Sequence, residues 1–486
     1  MQEVKDIRAI EETMFREYDL RGIFGRELTA DFAKRLGAIY CMYMREKLGK
    51  EDLTVSVGRD VRLSSDDLAA ALIEGMVSQG ANVYDLGPCP TPLLYFSLFH
   101  LEVDGGIMIT GSHNPPEYNG FKVCVGKETI HGQEIQHLKE LYYSAEVTER
   151  VSSNVTDNVT KYEIIPPYIS YLKESFKHLI DLPKVRVAVD AGNGAASLLA
   201  PELFSSLGCE VIELYCEADG HFPNHHPDPT VEKNLEDLIK IVLDEGCDFG
   251  IAFDGDADRL GAVDEKGNIL WGDKLMILYA ADILQDRKGE KFIGEVKCSQ
   301  IMYDEIARLG GQPIMWKTGH SLIKDKIKVE KAALAGEMSG HFFFADRYFG
   351  YDDALYAASR LIEIVKKKKA NDNNFAGVNS LFEGLPKTFA TPELRVDCPD
   401  TQKKAAVAIL GEVFNEHRAS GQEPRIRDII TVDGLRIIFE DGWGLVRSSN
   451  TQPVLVLRFE ASSEERRDYL REFVEGQLKQ YCKTAL

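Results

Sequence analysis

The sequence predicts an α/β protein: three similar α/β modules with mixed sheets, followed by a C-terminal α+β domain with an antiparallel sheet. Three observations predict it. Strand-like and helix-like patterns alternate from the N-terminus to about residue 386. In that span three core strands run straight into glycine-containing or polar loops: Val57-Gly58-Arg59-Asp60, Val189-Asp190-Ala191-Gly192 and Glu295-Val296-Lys297. Beyond Pro386 the order becomes strand, helix, two or three strands, helix. At 486 residues the chain exceeds a single core, and on this reading it divides into 1–165, 166–271, 272–386 and 387–486.

The first module opens on Phe15-Arg16-Glu17-Tyr18-Asp19-Leu20-Arg21-Gly22, where Tyr18 and Arg21 taken alone read as surface residues. A helical pattern follows through Phe32 to Leu48, then a strand Leu53 to Val57 and a loop Gly58-Arg59-Asp60. The next helix is expected to be capped by Ser64 or Ser65, with Asp66 and Asp67 suiting the dipole of its first turn. Strand Ala81 to Leu86, helix Pro92 to His100, a hairpin around Ser112 and helix His131 to Ala145 complete the unit.

The second module holds helix Tyr168 to Leu179, strand Val185 to Val189, helix Ala195 to Leu207, strand Glu210 to Tyr215 and strand Asp248 to Phe253. Its paired histidines, His225 and His226, lie between prolines and read as a rigid loop rather than a metal site. The third runs from helix Gly272 to Leu284 to helix Asp353 to Lys369, whose Lys366 to Lys369 read as a solvated helix end. The last domain takes strands Thr391 to Val396, Asp428 to Glu440, Trp443 to Arg447 and Val454 to Glu460, with helices Thr401 to His417 and Ser463 to Tyr481.

Composition narrows the partners. With 44% apolar and 28% charged residues the chain is of ordinary globular composition, and its formal charge of −21 argues against nucleic acid or an anionic membrane as partner. Nine cysteines without a C-x-x-C pair, no apolar run of membrane-spanning length and an acidic N-terminus without an apolar core point to reduced thiols and a cytoplasmic location. A monomer or weak homo-oligomer is expected.

Four loops concentrate the chemistry. Thr110-Gly111-Ser112-His113-Asn114-Pro115 follows the apolar run Gly106 to Ile109, so Ser112 is expected at the tip of a tight loop, with His113 beside it and Lys122 on the next strand. Alone, such a serine is more often a polar turn; the company of the other three loops reverses that. In Asp254-Gly255-Asp256-Ala257-Asp258-Arg259, three carboxylates two residues apart fall on one side of an extended backbone, and Gly255 lets the chain bend to converge them. Three hard oxygen donors without Cys or His favour Mg²⁺. An EF-hand is excluded because its sixth place needs Gly and is Arg259, and the flanks read as strands. Arg259 offers a fork for phosphate oxygens.

Arg447-Ser448-Ser449-Asn450-Thr451-Gln452-Pro453 sets a guanidinium before short donor side chains, a pattern suited to clamping a phosphate. Gly336-Glu337-Met338-Ser339-Gly340-His341 offers Glu337 and Ser339 to sugar hydroxyls, and its glycines are expected to let backbone approach a ligand.

These four loops, in this order, resemble those of the α-D-phosphohexomutase family over nearly the whole chain. The family's serine loop usually reads Thr-Ala-Ser-His-Asn-Pro; here Gly111 replaces the Ala, which on its face adds backbone freedom. The resemblance implies an active site in the central cleft and a mutase that passes a phosphoryl group through Ser112, with Ser112, Asp254, Asp256 and Asp258 around one Mg²⁺. It further implies Arg21, Lys122 and His113 as catalytic partners. Tyr18, Arg259, Lys297, His320, Glu337, Ser339, His341, Arg447, Ser449, Asn450 and Thr451 are implied as ligands of a small sugar phosphate. A hexose 1,6-bisphosphate is the implied intermediate and activator, and a phosphoglucosamine mutase, a sugar phosphatase and a non-catalytic sugar-phosphate-binding protein are the rival readings.

Overall fold

The computed structural model describes residues 13–150, 155–449 and 452–481. The chain forms two compact units, residues 1–283 with 339–382, and residues 284–338 with 383–486.

The first unit contains two mixed sheets. One has seven strands and runs in the order Leu20–Ile23, Tyr118–Val125, Gly105–Ile109, Thr54–Arg59, Asn82–Pro88, Val159–Lys161, with Glu128–Thr129 on the far side of Tyr118–Val125. Its centre is parallel, whereas Tyr118–Val125 runs antiparallel to both Leu20–Ile23 and Gly105–Ile109. This reversal brings Arg21, Lys122 and the Ser112 loop to one end of the sheet. The helices Ala30–Leu48 and Ser65–Ser78 bury Phe32, Leu36, Leu68 and Leu72 with Val55, Val57 and Ile107. Thr29 caps the first of them, its Oγ1 accepting the Phe32 N–H at 3.1 Å. The second sheet follows the order Ile269–Leu270, Leu260–Asp264, Phe249–Phe253, Val185–Asp190, Cys209–Leu214, and its Phe249–Phe253/Leu260–Asp264 hairpin carries the acidic loop at its turn.

In the second unit, Gln312–Trp316, Lys291–Glu295 and Leu334–Gly336 form a parallel array. The C-terminal sheet is antiparallel throughout, in the order Phe389–Ala390, Val454–Ala461, Gly442–Ser448, Leu435–Phe439, Ile426–Ile430, with Leu394–Asp397 also on Val454–Ala461. Helices Asp400–Ser420 and Glu464–Tyr481 contribute Leu410, Phe414, Leu470, Val474 and Leu478 to its core.

Local details depart from the sequence reading for identifiable reasons. Gly58 and Arg59 continue their strand, held by pairing with Met108 and Ile109. Neither Ser64 nor Ser65 caps its helix through its side chain: Asn119 donates to both hydroxyls, and Ser65 Oγ donates to Asp60 at 2.6 Å. The helix expected from Ala195 breaks at Leu199, because Pro201 starts a new first turn. The segment Asp428 to Glu440 folds as two strands around a turn. Lys366, expected in solvent, is buried and donates to the Leu179 and Gly208 carbonyls.

Candidate active site

Loop 110–117 joins two antiparallel strands, as its sequence predicts, but Ser112 is not displayed at an open tip. It is buried, with a left-handed φ of 48°. Its Oγ donates to Asp254 Oδ2 at 3.0 Å and lies 3.2 Å from His113 Nδ1. Burial, Arg259 and Arg21 together push the His113 imidazole well below its ordinary pKa.

The acidic loop converges by a route other than extended backbone. Residues 254–259 form a turn between the two hairpin strands, and the residue with left-handed backbone is Ala257, φ 58°, not Gly255. Gly255 is required for space: a Cβ there would lie 2.4 Å from the Ser112 carbonyl oxygen. Asp254 Oδ1 accepts the N–H groups of Asp258 and Arg259, both at 3.1 Å, which fixes the turn. Asp254, Asp256 and Asp258 are all buried and can each place one carboxylate oxygen within 4.8 Å of the others.

Charge in this cluster is only partly balanced. Lys122 Nζ donates to Asp256 Oδ2 at 2.7 Å and makes a short contact with Asp258 Oδ2. Burial works against the Lys122 charge, but Asp256, Asp258 and Asp352 outweigh it and hold its pKa above the ordinary lysine value. Burial, Asp258 and Asp256 push Asp254 well above the carboxylate range. Asp258 goes the other way: burial opposes its charge, but Lys122, His341 and Arg259 prevail and hold it well below.

A divalent cation fits this donor set. Asp256 Oδ2 is taken by Lys122 and by the Thr91 hydroxyl, which donates at 2.5 Å, while Asp256 Oδ1 is buried and has no hydrogen-bond partner among the described residues. A buried anionic oxygen in that state requires a partner, and an all-carboxylate set favours a hard cation.

Other residues singled out from the sequence gather around this cluster. Arg21, paired with Asp19 at 2.7 Å, reaches Asn114 Oδ1 of the serine loop at 3.3 Å, and Tyr18 is buried rather than on the surface. His341 Nε2 lies 3.2 Å from Asp258 Oδ1 and 3.4 Å from Arg259 Nε, with Ser339 Oγ 3.3 Å from His341 Nδ1. Gly340, φ 93°, makes a close approach to the Leu260 backbone that a side chain would block.

The second unit assembles its own polar cluster. Glu337 accepts the Gly319 N–H at 2.7 Å, beside the buried His320. Glu295 takes the Lys297 N–H at 2.8 Å and the Thr318 hydroxyl at 2.9 Å, and burial pushes its carboxyl up. Lys297 Nζ is 3.2 Å from Glu393. Burial opposes the Glu393 charge, but Lys297 and Arg395 hold its pKa down at about 2. Arg447 pairs with Asp433 at 2.9 Å, and Asp433 also accepts the Thr318 N–H at 3.1 Å. Ser449 Oγ accepts the Gln452 N–H at 3.1 Å; Asn450 and Thr451 lie outside the described residues.

Sequence reasoning missed Arg62, Asp60, Thr91, Glu295, Asp433 and Lys403, the last of which donates to the Ser449 and Gln452 carbonyls. Each acts on a loop far along the chain, and no local pattern announces that. Asp60 and Arg62, two residues apart after a core strand, were an available signal.

Four family models match the chain in succession: Phosphoglucomutase/phosphomannomutase, alpha/beta/alpha domain I at residues 12–147, domain II at 166–267, domain III at 271–378, and the C-terminal domain at 393–477. The chain is 43% identical over 468 residues to a phosphomannomutase/phosphoglucomutase of Pseudomonas aeruginosa, covering 96% of both. It is 42% identical over 456 residues to a phosphoglucomutase of Neisseria meningitidis, covering 94% of both. Among solved structures it is similar to a phosphoglucomutase/phosphomannomutase family protein of Burkholderia thailandensis, with 38% identity, a TM-score of 0.86 and coverage of 98% and 99%. A buried serine hydroxyl on an all-carboxylate cluster, carried by this succession of domains, places the chain in the phosphoglucomutase/phosphomannomutase family.

Proposed function

We propose that the protein interconverts hexose 1-phosphate and hexose 6-phosphate, of glucose, mannose or both, with Ser112 as the phosphoryl carrier. The observation that carries this is the buried Ser112 Oγ, 3.0 Å from Asp254 inside the acidic cluster. In the forward half-reaction the bond from phosphorus to Ser112 Oγ breaks and a bond forms to the free hydroxyl of the sugar phosphate, whose proton leaves to a neighbouring base while the departing Ser112 Oγ takes up a proton to become the hydroxyl. The resulting 1,6-bisphosphate turns end over end, and its other phosphate returns to Ser112.

Asp254, Asp256 and Asp258 would hold one Mg²⁺, which when bound supplies charge neutralisation for the transferring group. Arg21, Lys122, His113 and Arg259 orient that group and carry the proton and charge around it. Glu337, Ser339, His320 and His341 meet sugar hydroxyls. Arg447, Ser449, Asn450 and Thr451, with Lys297, grip the phosphate that is not reacting. That grip must accept either phosphate of the bisphosphate, and a guanidinium with short donors suits such a task better than a rigid single-purpose pocket. The substrate is thus a small anionic sugar, bound by basic side chains gathered locally on a chain of strongly negative net charge.

Coupled assays with glucose 1-phosphate, mannose 1-phosphate and glucosamine 1-phosphate, each with a trace of 1,6-bisphosphate, test the reading. Isomerisation of the first or second ahead of the third is expected. Preference for glucosamine 1-phosphate would make the protein a phosphoglucosamine mutase, and release of inorganic phosphate without isomerisation would make it a phosphatase. Arg447→Ala should raise KM for sugar phosphate by roughly 10- to 100-fold, the value of one or two charge-assisted hydrogen bonds. It should also let 1,6-bisphosphate escape into solution during turnover, measured by its accumulation against isomerised product; unchanged KM and no escape would remove the clamp role.

A further inference from the structure

Arg62 lies 50 residues before Ser112 in sequence, yet its guanidinium is built into the serine loop. Nη1 donates to the carbonyls of Pro115 at 2.6 Å and Tyr118 at 3.0 Å, Nη2 to those of Ser112 at 2.7 Å and Asn114 at 2.6 Å, and Nε to Asp60 Oδ2 at 3.1 Å. A guanidinium has five N–H donors in a fixed fork, and every one of them is used here. The group is buried, and Asp60 is the carboxylate that pairs with it.

Asp60 is equally occupied. Its Oδ1 accepts the Arg62 N–H at 3.0 Å and the Ser65 hydroxyl at 2.6 Å, and its Oδ2 accepts the Gly111 N–H at 3.1 Å as well as Arg62 Nε. The guanidinium lies against Gly111 so closely that a methyl group there would come within 2.5 Å of Cζ and Nε. The Phe222 ring, centred 5.1 Å from Cζ, also stacks on it. Gly111 does not have left-handed backbone; its smallness, rather than the freedom of its chain, is what the site uses.

The geometry points to Arg62 as the positioning residue of the nucleophile, with Gly111 as the gap that admits it. By drawing three loop carbonyls and that of Tyr118, at the start of the next strand, inward, Arg62 holds Ser112 in its left-handed conformation and directs Oγ at Asp254. Its five donors are all spent on Asp60 and backbone carbonyls, none on Ser112 Oγ, so it acts through the position of Ser112. The inference therefore rests on Ser112 being the phosphoryl carrier. A misplacement of about 1 Å at a reacting atom can cost on the order of 100-fold in rate, so the loss should fall on the chemical step.

Arg62→Lys keeps the charge but replaces a planar five-donor fork with a compact three-donor group. Its kcat should fall about 100-fold, while KM for glucose 1-phosphate and the Mg²⁺ needed for half-activation stay within about threefold. Phosphorylation of Ser112 by glucose 1,6-bisphosphate, followed by intact mass, should slow in proportion. Gly111→Ala should give the same signature with every polar group retained. In a double-mutant cycle its cost should shrink when Arg62 is already Lys, because the ammonium vacates the space above position 111.

Turnover of Arg62→Lys within about threefold of the parent, a loss confined to KM, or additive effects in the cycle would each overturn the proposal. If Arg62→Lys fails to fold, Gly111→Ala decides alone: a kcat loss supports the mount and normal turnover refutes it. Ser112→Ala, run in parallel, separates the two levels. Turnover in that variant would remove the carrier itself, whereas an inactive Ser112→Ala beside unimpaired Arg62→Lys and Gly111→Ala removes only the mount.

Discussion

Ser112→Ala is expected to lower turnover by on the order of 10⁵-fold, since losing the nucleophile of a covalent mechanism removes the pathway rather than slowing one step. The fold should survive. Ala meets the same left-handed backbone as Ser, and Asp254, which loses the Ser112 hydroxyl at 3.0 Å, keeps the N–H groups of Asp258 and Arg259 on its other oxygen. Sugar phosphate should still bind, because the groups proposed to hold it lie elsewhere. Calorimetry with glucose 1-phosphate would register near-parental affinity, and intact mass would show no phosphate on the variant after incubation with 1,6-bisphosphate. Near-normal rates, or a phosphorylated variant, would move the carrier to another residue.

Asp256→Asn is expected to raise the Mg²⁺ concentration for half-activation by about 100-fold or more and to lower kcat with it. The local geometry makes this isosteric change severe. Thr91 and Lys122 both donate to Asp256 Oδ2, so an amide in that place must turn its oxygen toward them. Its NH₂ group then faces the position of Asp256 Oδ1, the buried oxygen without a hydrogen-bond partner among the described residues. A donor would stand where the cation needs an acceptor. Metal titration of activity, with calorimetric Mg²⁺ binding as a second readout, checks the result. Parental metal activation in this variant would place the cation elsewhere.

The fold class was legible because hydrophobic periodicity and loop chemistry are local properties. The alternation of strands and helices and the antiparallel C-terminal sheet follow from them. Where the reading slipped, a distant partner had overruled a local preference. Arg59 stays in its strand because Ile109 pairs with it, Ser65 abandons its cap for Asp60, and Lys366 leaves solvent for two carbonyls of other segments.

The site divides in the same way. Ser112, the three aspartates, Glu337 and Arg447 could be picked out because each sits in a short segment whose residue types have few uses besides chemistry. Arg62, Thr91 and Glu295 could not, since each gains its role from a group some 20 to 165 residues away. The convergence of the acidic loop was foreseen, but through Gly255 in extended chain, whereas Ala257 supplies the left-handed turn and Gly255 the clearance for Ser112.

By itself, then, the sequence determined the order of modules and which side chains are candidates to transfer, chelate or clamp a phosphate. Only the tertiary structure decided that Ser112 is buried against Asp254, that Lys122 bridges Asp256 and Asp258, and that Arg62 ties down the loop they serve. Residue type fixes what a group can donate, accept or ionise, whereas desolvation and hydrogen bonding act through space, between residues that the chain order keeps apart.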